Sequence, residues 1–236
     1  MKNGAAAAKL STREGLYPRV LGVRFMFMPR TLRLLHGRGG RQAYRGEAEV
    51  ERGKGLLSRL FARIGGLPKA HDGPIEVEID AGPRAETWTR RFGKSAMRSR
   101  LREHDGLVLE RLGPMRFAFA LELSGDLPEA PSSGVRSLQT GAAVTVSTAM
   151  QSAPTPHDLG HAPMGGRQHG TANEPGLSWH LVRVRALGLP LPVSWFAGVT
   201  AREFELDGRY CFDVHAALPG VGLLVHYRGW LDVGSE

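Results

Sequence analysis

Across residues 199–232, three apolar-rich runs are joined first by Asp207-Gly208 and then by Leu218-Pro219-Gly220-Val221-Gly222. Alternation of apolar and polar positions on either side of these joints predicts three sequential antiparallel strands. Asp-Gly is a strong hairpin signal because both central residues of a tight primed turn need positive φ. The same period of two marks the middle of the chain. Ile75, Val77 and Ile79 alternate with Glu76, Glu78 and Asp80, and after Gly82-Pro83 a second run places Trp88, Arg90 and Phe92 on one face. Residues 96–102, 107–112 and 115–123 supply three more strands, separated by Asp105-Gly106 and Gly113-Pro114, and Met115, Phe117, Phe119, Leu121 and Leu123 share a face. Leu177, Trp179, Leu181 and Arg183 continue the pattern after a long break.

Helical spacing is confined to the first quarter of the chain. Leu16, Val20, Leu21, Phe25, Met28, Leu32 and Leu35 predict two short helices around Pro29, which suits the first turn of the second. Residues 44–51 then alternate as a half-buried strand. Leu56, Leu57, Leu60, Phe61 and Ile64 follow as an apolar stripe ended by Gly65-Gly66 and Pro68, which we expect to pack on the core. The fold class expected is α+β, mainly antiparallel β: a strongly curved sheet or barrel of about nine or ten strands, with N-terminal helices and one helix between the first two strands. Residues 1–15 read as a disordered tail and 16–236 as a single domain. Residues 125–176, rich in Gly, Pro, Ser, Ala and Thr, read as a disordered insertion with at most a short strand at 143–146.

Composition narrows the function classes. The formal charge of +8 comes from 31 Lys and Arg, but these are spread along the chain and not gathered in one tail, which reads as a basic surface and not as a nucleic-acid-binding tract. Cys211 is the single cysteine, so no intrachain disulfide forms and no thiolate metal cluster is available. It alternates out of phase with Tyr210, Phe212 and Val214, which gives no support to a nucleophilic role. No apolar stretch is long enough for a secretory signal or a membrane span, and a cytoplasmic location is expected. There is no Gly-x-Gly-x-x-Gly after a strand and no phosphate loop, so no cofactor is expected. His157 and His161 are spaced like metal ligands, with His169 nearby, but they lie in a glycine-proline segment unsuited to holding a site.

The candidate chemistry rests on polar residues that share parity with apolar neighbours. Arg90 alternates with Trp88 and Phe92, Arg183 with Trp179 and Leu181, and Tyr227 with Val225; an inward arginine must meet a carboxylate, water or an anionic ligand, with Glu203 and Asp213 as candidate partners. The candidate ligand-binding residues are Trp88, Arg90, Phe117, Arg183, Glu203, Tyr210, Phe212 and Tyr227. They suggest a non-catalytic cavity for an apolar or amphipathic small molecule, with arginine orienting its carboxylate or phosphate. An enzyme acting through Glu203 or Asp213 with Arg90 is the alternative.

The chain also resembles the uncharacterised bacterial family called domain of unknown function 4166. The resemblance is carried by Leu16-Tyr17 through Leu35-His36-Gly37, Tyr44-Arg45-Gly46 with Glu51-Arg52-Gly53, the run Glu86-Thr87-Trp88-Thr89-Arg90-Arg91-Phe92-Gly93, and Gly106 through Gly113-Pro114-Met115-Arg116-Phe117. It continues in Leu187-Gly188-Leu189-Pro190-Leu191-Pro192, Asp207-Gly208-Arg209-Tyr210-Cys211-Phe212-Asp213-Val214 and Tyr227-Arg228-Gly229-Trp230-Leu231. The resemblance implies no reaction and no catalytic residue. It does imply an accessory role, since similar domains stand alone or follow saccharopine-dehydrogenase-like Rossmann domains, so docking to a separate oxidoreductase of that kind is a further expectation. Residues 125–176 depart from the pattern, where a short connection is expected.

Overall fold

The computed structural model describes residues 15–125 and 174–234. The tail at 1–14 and most of the expected insertion, with its strand at 143–146 and its three histidines, lie outside the described residues.

Eleven strands form one antiparallel sheet: β1 (Gly40–Arg52), β2 (His71–Ala81), β3 (Glu86–Phe92), β4 (Ser95–His104), β5 (Leu107–Leu112), β6 (Met115–Ser124), β7 (Gly176–Ala186), β8 (Leu189–Leu191), β9 (Gly198–Leu206), β10 (Arg209–Leu218) and β11 (Gly222–Asp232). Neighbours in sequence pair from β1 to β7, β7 continues to β9, and β11 returns to β1, so ten strands close a barrel. Closure leaves the ten without a free edge. The short β8 lies on the far half of β7, which β9 does not reach. Pro190 hides β8 from a pattern reading, because proline is confined to edge positions of a sheet.

The turns follow from local chemistry. At Asp105-Gly106 and Asp207-Gly208 both central residues have positive φ, from 51° to 73°, as a primed hairpin turn requires. Leu187-Gly188 does the same between β7 and β8, with φ of 52° and 89°.

Two helices plug one end of the barrel. α1 (Leu16–Leu21) runs through a 3-10 segment at Gly22–Phe27 into α2 (Arg30–Gly37), with Pro29 at the α2 N-cap. Their Leu16, Tyr17, Leu32 and Leu35 share one core with Ile79, Trp88, Leu121, Leu177 and Tyr210 from the strands. The Leu16 amide donates to the Glu86 carboxylate at 2.9 Å, and the Thr31 amide and hydroxyl donate to Glu205 Oε2 at 2.7 and 2.9 Å. The first turns of both helices are thus held by acids on β3 and β9.

α3 (Leu56–Ile64) corrects an expectation. Its apolar stripe faces outward, with Leu56 83% exposed, and Ser58 and Ala62 are its buried residues. The cause is a close approach to β11: the Ser58 hydroxyl donates to the Leu223 carbonyl at 2.5 Å, and a Cβ on the adjacent Gly53 would overlap that same oxygen. Small residues pack where backbones come this near, so the large side chains turn away.

Candidate site inside the barrel

Strand parity decides which side chains reach the interior. Along β3, Glu86, Trp88, Arg90 and Phe92 alternate with Thr87, Thr89 and Arg91, and the first set points inward with Ile75, Val77 and Ile79 of β2. Glu203 on β9 and Phe212 on β10 are cross-strand partners, and Val214 on β10 opposes Tyr227 on β11, so these side chains share the inner face. The result is a polar cluster in an apolar setting.

At its centre His36 Nε2 lies 2.5 Å from Glu203 Oε2, the histidine 2% and the glutamate 8% exposed. Tyr17 stacks on His36 with ring centroids 3.6 Å apart and planes at 29°. Trp88 and Tyr210 approach the same imidazole at 5.7 and 6.1 Å. The Trp88 indole N–H donates to Glu86 Oε2 at 3.2 Å. Burial, reinforced by the Glu203 charge, holds the Tyr17 and Tyr210 hydroxyls well above the ordinary phenolic pKa, and Tyr210 also hydrogen-bonds to Glu203. Two polar atoms in this cluster, Tyr17 Oη and His36 Nδ1, are buried with no protein partner. Such atoms carry a desolvation penalty of about 1–3 kcal/mol each unless something else meets them.

Arg90 is the other unusual group. Its guanidinium sits over the Trp88 ring at 4.8 Å and donates to the Ser99 hydroxyl at 3.2 Å. No carboxylate forms an ion pair with it among the described residues. Burial opposes its charge, but Tyr227, Glu110 and Tyr210 outweigh that and raise its pKa, so it stays a cation. Of its five N–H donors, most remain for other acceptors.

A cavity of about 40 Å³ adjoins this cluster, lined by Trp88, Arg90, Glu203, Tyr210, Phe212 and Tyr227 together with Ile75, Val77, Ala201, Val214 and Leu231. Six of the eight residues expected to bind a ligand therefore meet at one place. The volume accommodates about three waters or one small anionic group, not the body of a large ligand, since each water needs about 10–15 Å³ of such space.

Phe117 and Arg183 lie elsewhere. Phe117 packs edge-on against Phe196 and beside Phe119. Arg183 is turned to the outside by a bulge in β7: Ala118 opposes Arg183 while the next residue, Phe119, opposes Leu181, leaving Val182 unmatched. One extra residue exchanges the two faces beyond it, so Trp179 and Leu181 stay inward while Arg183 does not. Asp213 faces outward too, bonded to His226 Nε2 at 2.9 Å. Cys211 is buried, and burial pushes its thiol up to about 11.

Tyr17, His36 and Glu86 are not among the candidate binding residues expected from the sequence, where they carry only the family resemblance, although signals for them exist. Glu86 has the parity of Trp88 and Arg90, and His36 extends the Leu32–Leu35 stripe by one position. Among the described residues, no group of three or more His, Cys, Asp or Glu could hold a metal ion, and no helix is long and apolar enough to cross a membrane.

Comparison with known proteins bears on the scaffold. We find no match to the chain among curated proteins. A family profile described as Domain of unknown function (DUF4166) matches residues 28–153 and 157–231, a span that takes in residues 125–153 as well as every strand of the barrel and the cavity-lining side chains. The chain belongs to that family of domains of unknown function.

Proposed function

We propose that the protein is a non-catalytic small-molecule-binding barrel whose interior receives the acidic group of an amphipathic ligand against Arg90. The observation that carries this reading is a guanidinium held as a cation beside a cavity, with a hydroxyl and an indole face as its neighbours and, among the described residues, no carboxylate within ion-pair distance, although Glu203 lines the same cavity. A carboxylate there would gain charge-assisted bonds from Arg90, and the phenol of Tyr227, kept neutral by burial, is a donor within the same lining, while that of Tyr210 is engaged by Glu203. The cavity has room for the head of such a ligand. An apolar tail needs the packing around the cavity to open, and the α1–α2 plug, which brings the buried and unpartnered Tyr17 Oη and His36 Nδ1 to the adjoining cluster, is the element expected to move.

The test is titration with acetate, butyrate and octanoate, followed by tryptophan fluorescence and native mass spectrometry. Saturable binding is expected, weakened about tenfold or more in R90Q, in line with the roughly 1.5–3 kcal/mol carried by a hydrogen bond to a charged group. Absence of saturable binding by every carboxylate, in wild type and in a variant with a loosened plug, sinks the reading.

A second reading treats Glu203 as catalytic, and the 2.5 Å bond to His36 in a dry setting favours it. Its demand is a substrate path to His36 that the closed plug does not offer. Docking to a Rossmann oxidoreductase rests on the family resemblance, with the outward stripe of α3 as the surface it would use.

A further inference from the structure

The barrel treats the arginines of its outer wall in two ways. On β1, β2 and β3, and again on β9, β10 and β11, opposite charges face each other across the ladders. Arg45 opposes Glu76, Glu76 opposes Arg91, Glu49 opposes Arg228, and Asp213 opposes both Arg228 and Arg202. On β4 to β7 this alternation stops. Arg100 opposes Arg111, Arg111 opposes Arg116, and Arg116 opposes Arg185, so four arginines stand in register on four adjacent strands. All four are exposed, while Leu101 and Val184, the chain neighbours of Arg100 and Arg185, are buried, which places the row on the outer wall.

Neighbouring strands lie about 4.8 Å apart, so the row extends for about 14 Å. Like charges directly opposite one another destabilise a sheet, and none of these four has an ion-pair partner among the described residues. An arginine-rich composition alone does not account for this, because on the remaining strands the outward Arg41, Arg45, Arg91 and Arg228 each pair with a carboxylate.

With Arg84, Arg102, His104 and Arg183 from the neighbouring positions, the row lines a groove of about 620 Å³. That volume is in the range of small-molecule sites, about 300–1,000 Å³. One carboxylate lines it, Glu110, whose ladder partners Leu101 and Phe117 mark it as belonging to the inward-facing set. The one aromatic residue in the lining, Phe117, is packed against Phe119 and Phe196, which leaves no free ring for stacking bases as a single-stranded nucleic acid would use.

We propose that this groove binds a compact polyanion carrying two or more closely spaced phosphate groups, gripped by guanidinium forks on successive strands. The phosphates belong to a free metabolite or to a lipid headgroup, and the chemistry of capture is the same for both. Calorimetry with orthophosphate, pyrophosphate and tripolyphosphate, at fixed ionic strength, tests it. Affinity is expected to rise along that series, to fall steeply with salt, and to drop about tenfold or more in R111Q/R116Q, while R45Q, which alters an outward arginine already paired with Glu76, behaves as wild type. Parallel sedimentation with phosphatidylcholine vesicles containing phosphatidylinositol bisphosphate separates the sources. Vesicle binding displaced by tripolyphosphate identifies a headgroup, and binding of free tripolyphosphate without vesicle binding identifies a soluble ligand; both support the proposal. It is overturned by the absence of saturable binding in either arm, by equal binding in R111Q/R116Q and wild type, or by tight binding of single-stranded RNA that tripolyphosphate does not compete.

Discussion

Tyr17, Tyr210 and Tyr227 turn their hydroxyls into the barrel, and burial raises the pKa of each, that of Tyr227 to about 12. Burial shifts Tyr44 in the same direction, and these four are all the tyrosines of the chain. An acid whose folded pKa lies above its unfolded value of about 10 keeps its proton more tightly in the native state. Between the two values the unfolded chain binds fewer protons, so stability falls as pH rises. The contribution is complete below pH about 10 and is lost as pH climbs through the folded pKa. We therefore expect native protein at pH about 10.5 to show almost none of the ultraviolet absorbance of phenolate, which should emerge together with unfolding; a native protein that titrates two or more phenols near pH 10 contradicts this. Of these residues, Tyr210 and Tyr227 were legible in the sequence, because strand alternation tied them to Phe212 and Val225. Tyr17 was not, since a tyrosine on a short helix has no parity and its partners Glu203 and Glu86 lie far away in the chain. Arg90 and Arg183 looked alike in the pattern, and a single unmatched residue in β7 separated them.

At the level of elements, α2 depends on a residue that no local signal announces. Pro29 is its N-cap and offers no side-chain bond, so the Thr31 amide, which has no acceptor within the helix, is met by Glu205 from β9, which also accepts from the Thr31 hydroxyl. An anionic acceptor at a helix N-terminus satisfies an orphan donor and complements the helix dipole. E205A should lower stability by about 1–2 kcal/mol, the range for loss of a cap, and lower Tm by about 2–8 °C for a chain of this size. Proteolysis within residues 15–37 should accelerate along with it, because the plug is released before the barrel opens. A Tm unchanged within error, with no gain in cleavage there, would show that Glu205 does not hold α2. Strand positions were readable because period-two alternation is local and the Asp-Gly joints fix the turns. The orientation of α3 was not, because the preference of β11 for Ser58 and Ala62 over the leucines is a matter of backbone proximity, which amphipathic periodicity does not encode.

On the scale of the molecule, closure of the barrel depends on β6 pairing with β7 although a long segment separates them. Ser124 and Gly176 are direct partners, so the chain departs and returns at opposite sides of a single ladder rung. Two residues in that relation can be joined by a short hairpin turn without altering the register that follows. Contracting the connection about tenfold should also lower the entropy of closing it, by about 2 kcal/mol at roughly 0.6 kcal/mol per doubling. A protein in which residues 126–174 are replaced by Asn-Gly is therefore expected to retain the native circular dichroism spectrum and to unfold at the wild-type denaturant midpoint or above it. It should also bind carboxylates and tripolyphosphate as the full chain does, because the side chains lining the cavity and the arginine groove all lie outside the replaced residues. Loss of cooperative unfolding in this variant would mean that the β6–β7 ladder needs the intervening chain to form. Retained folding with loss of either binding activity would instead assign that chain a direct part in the affected site.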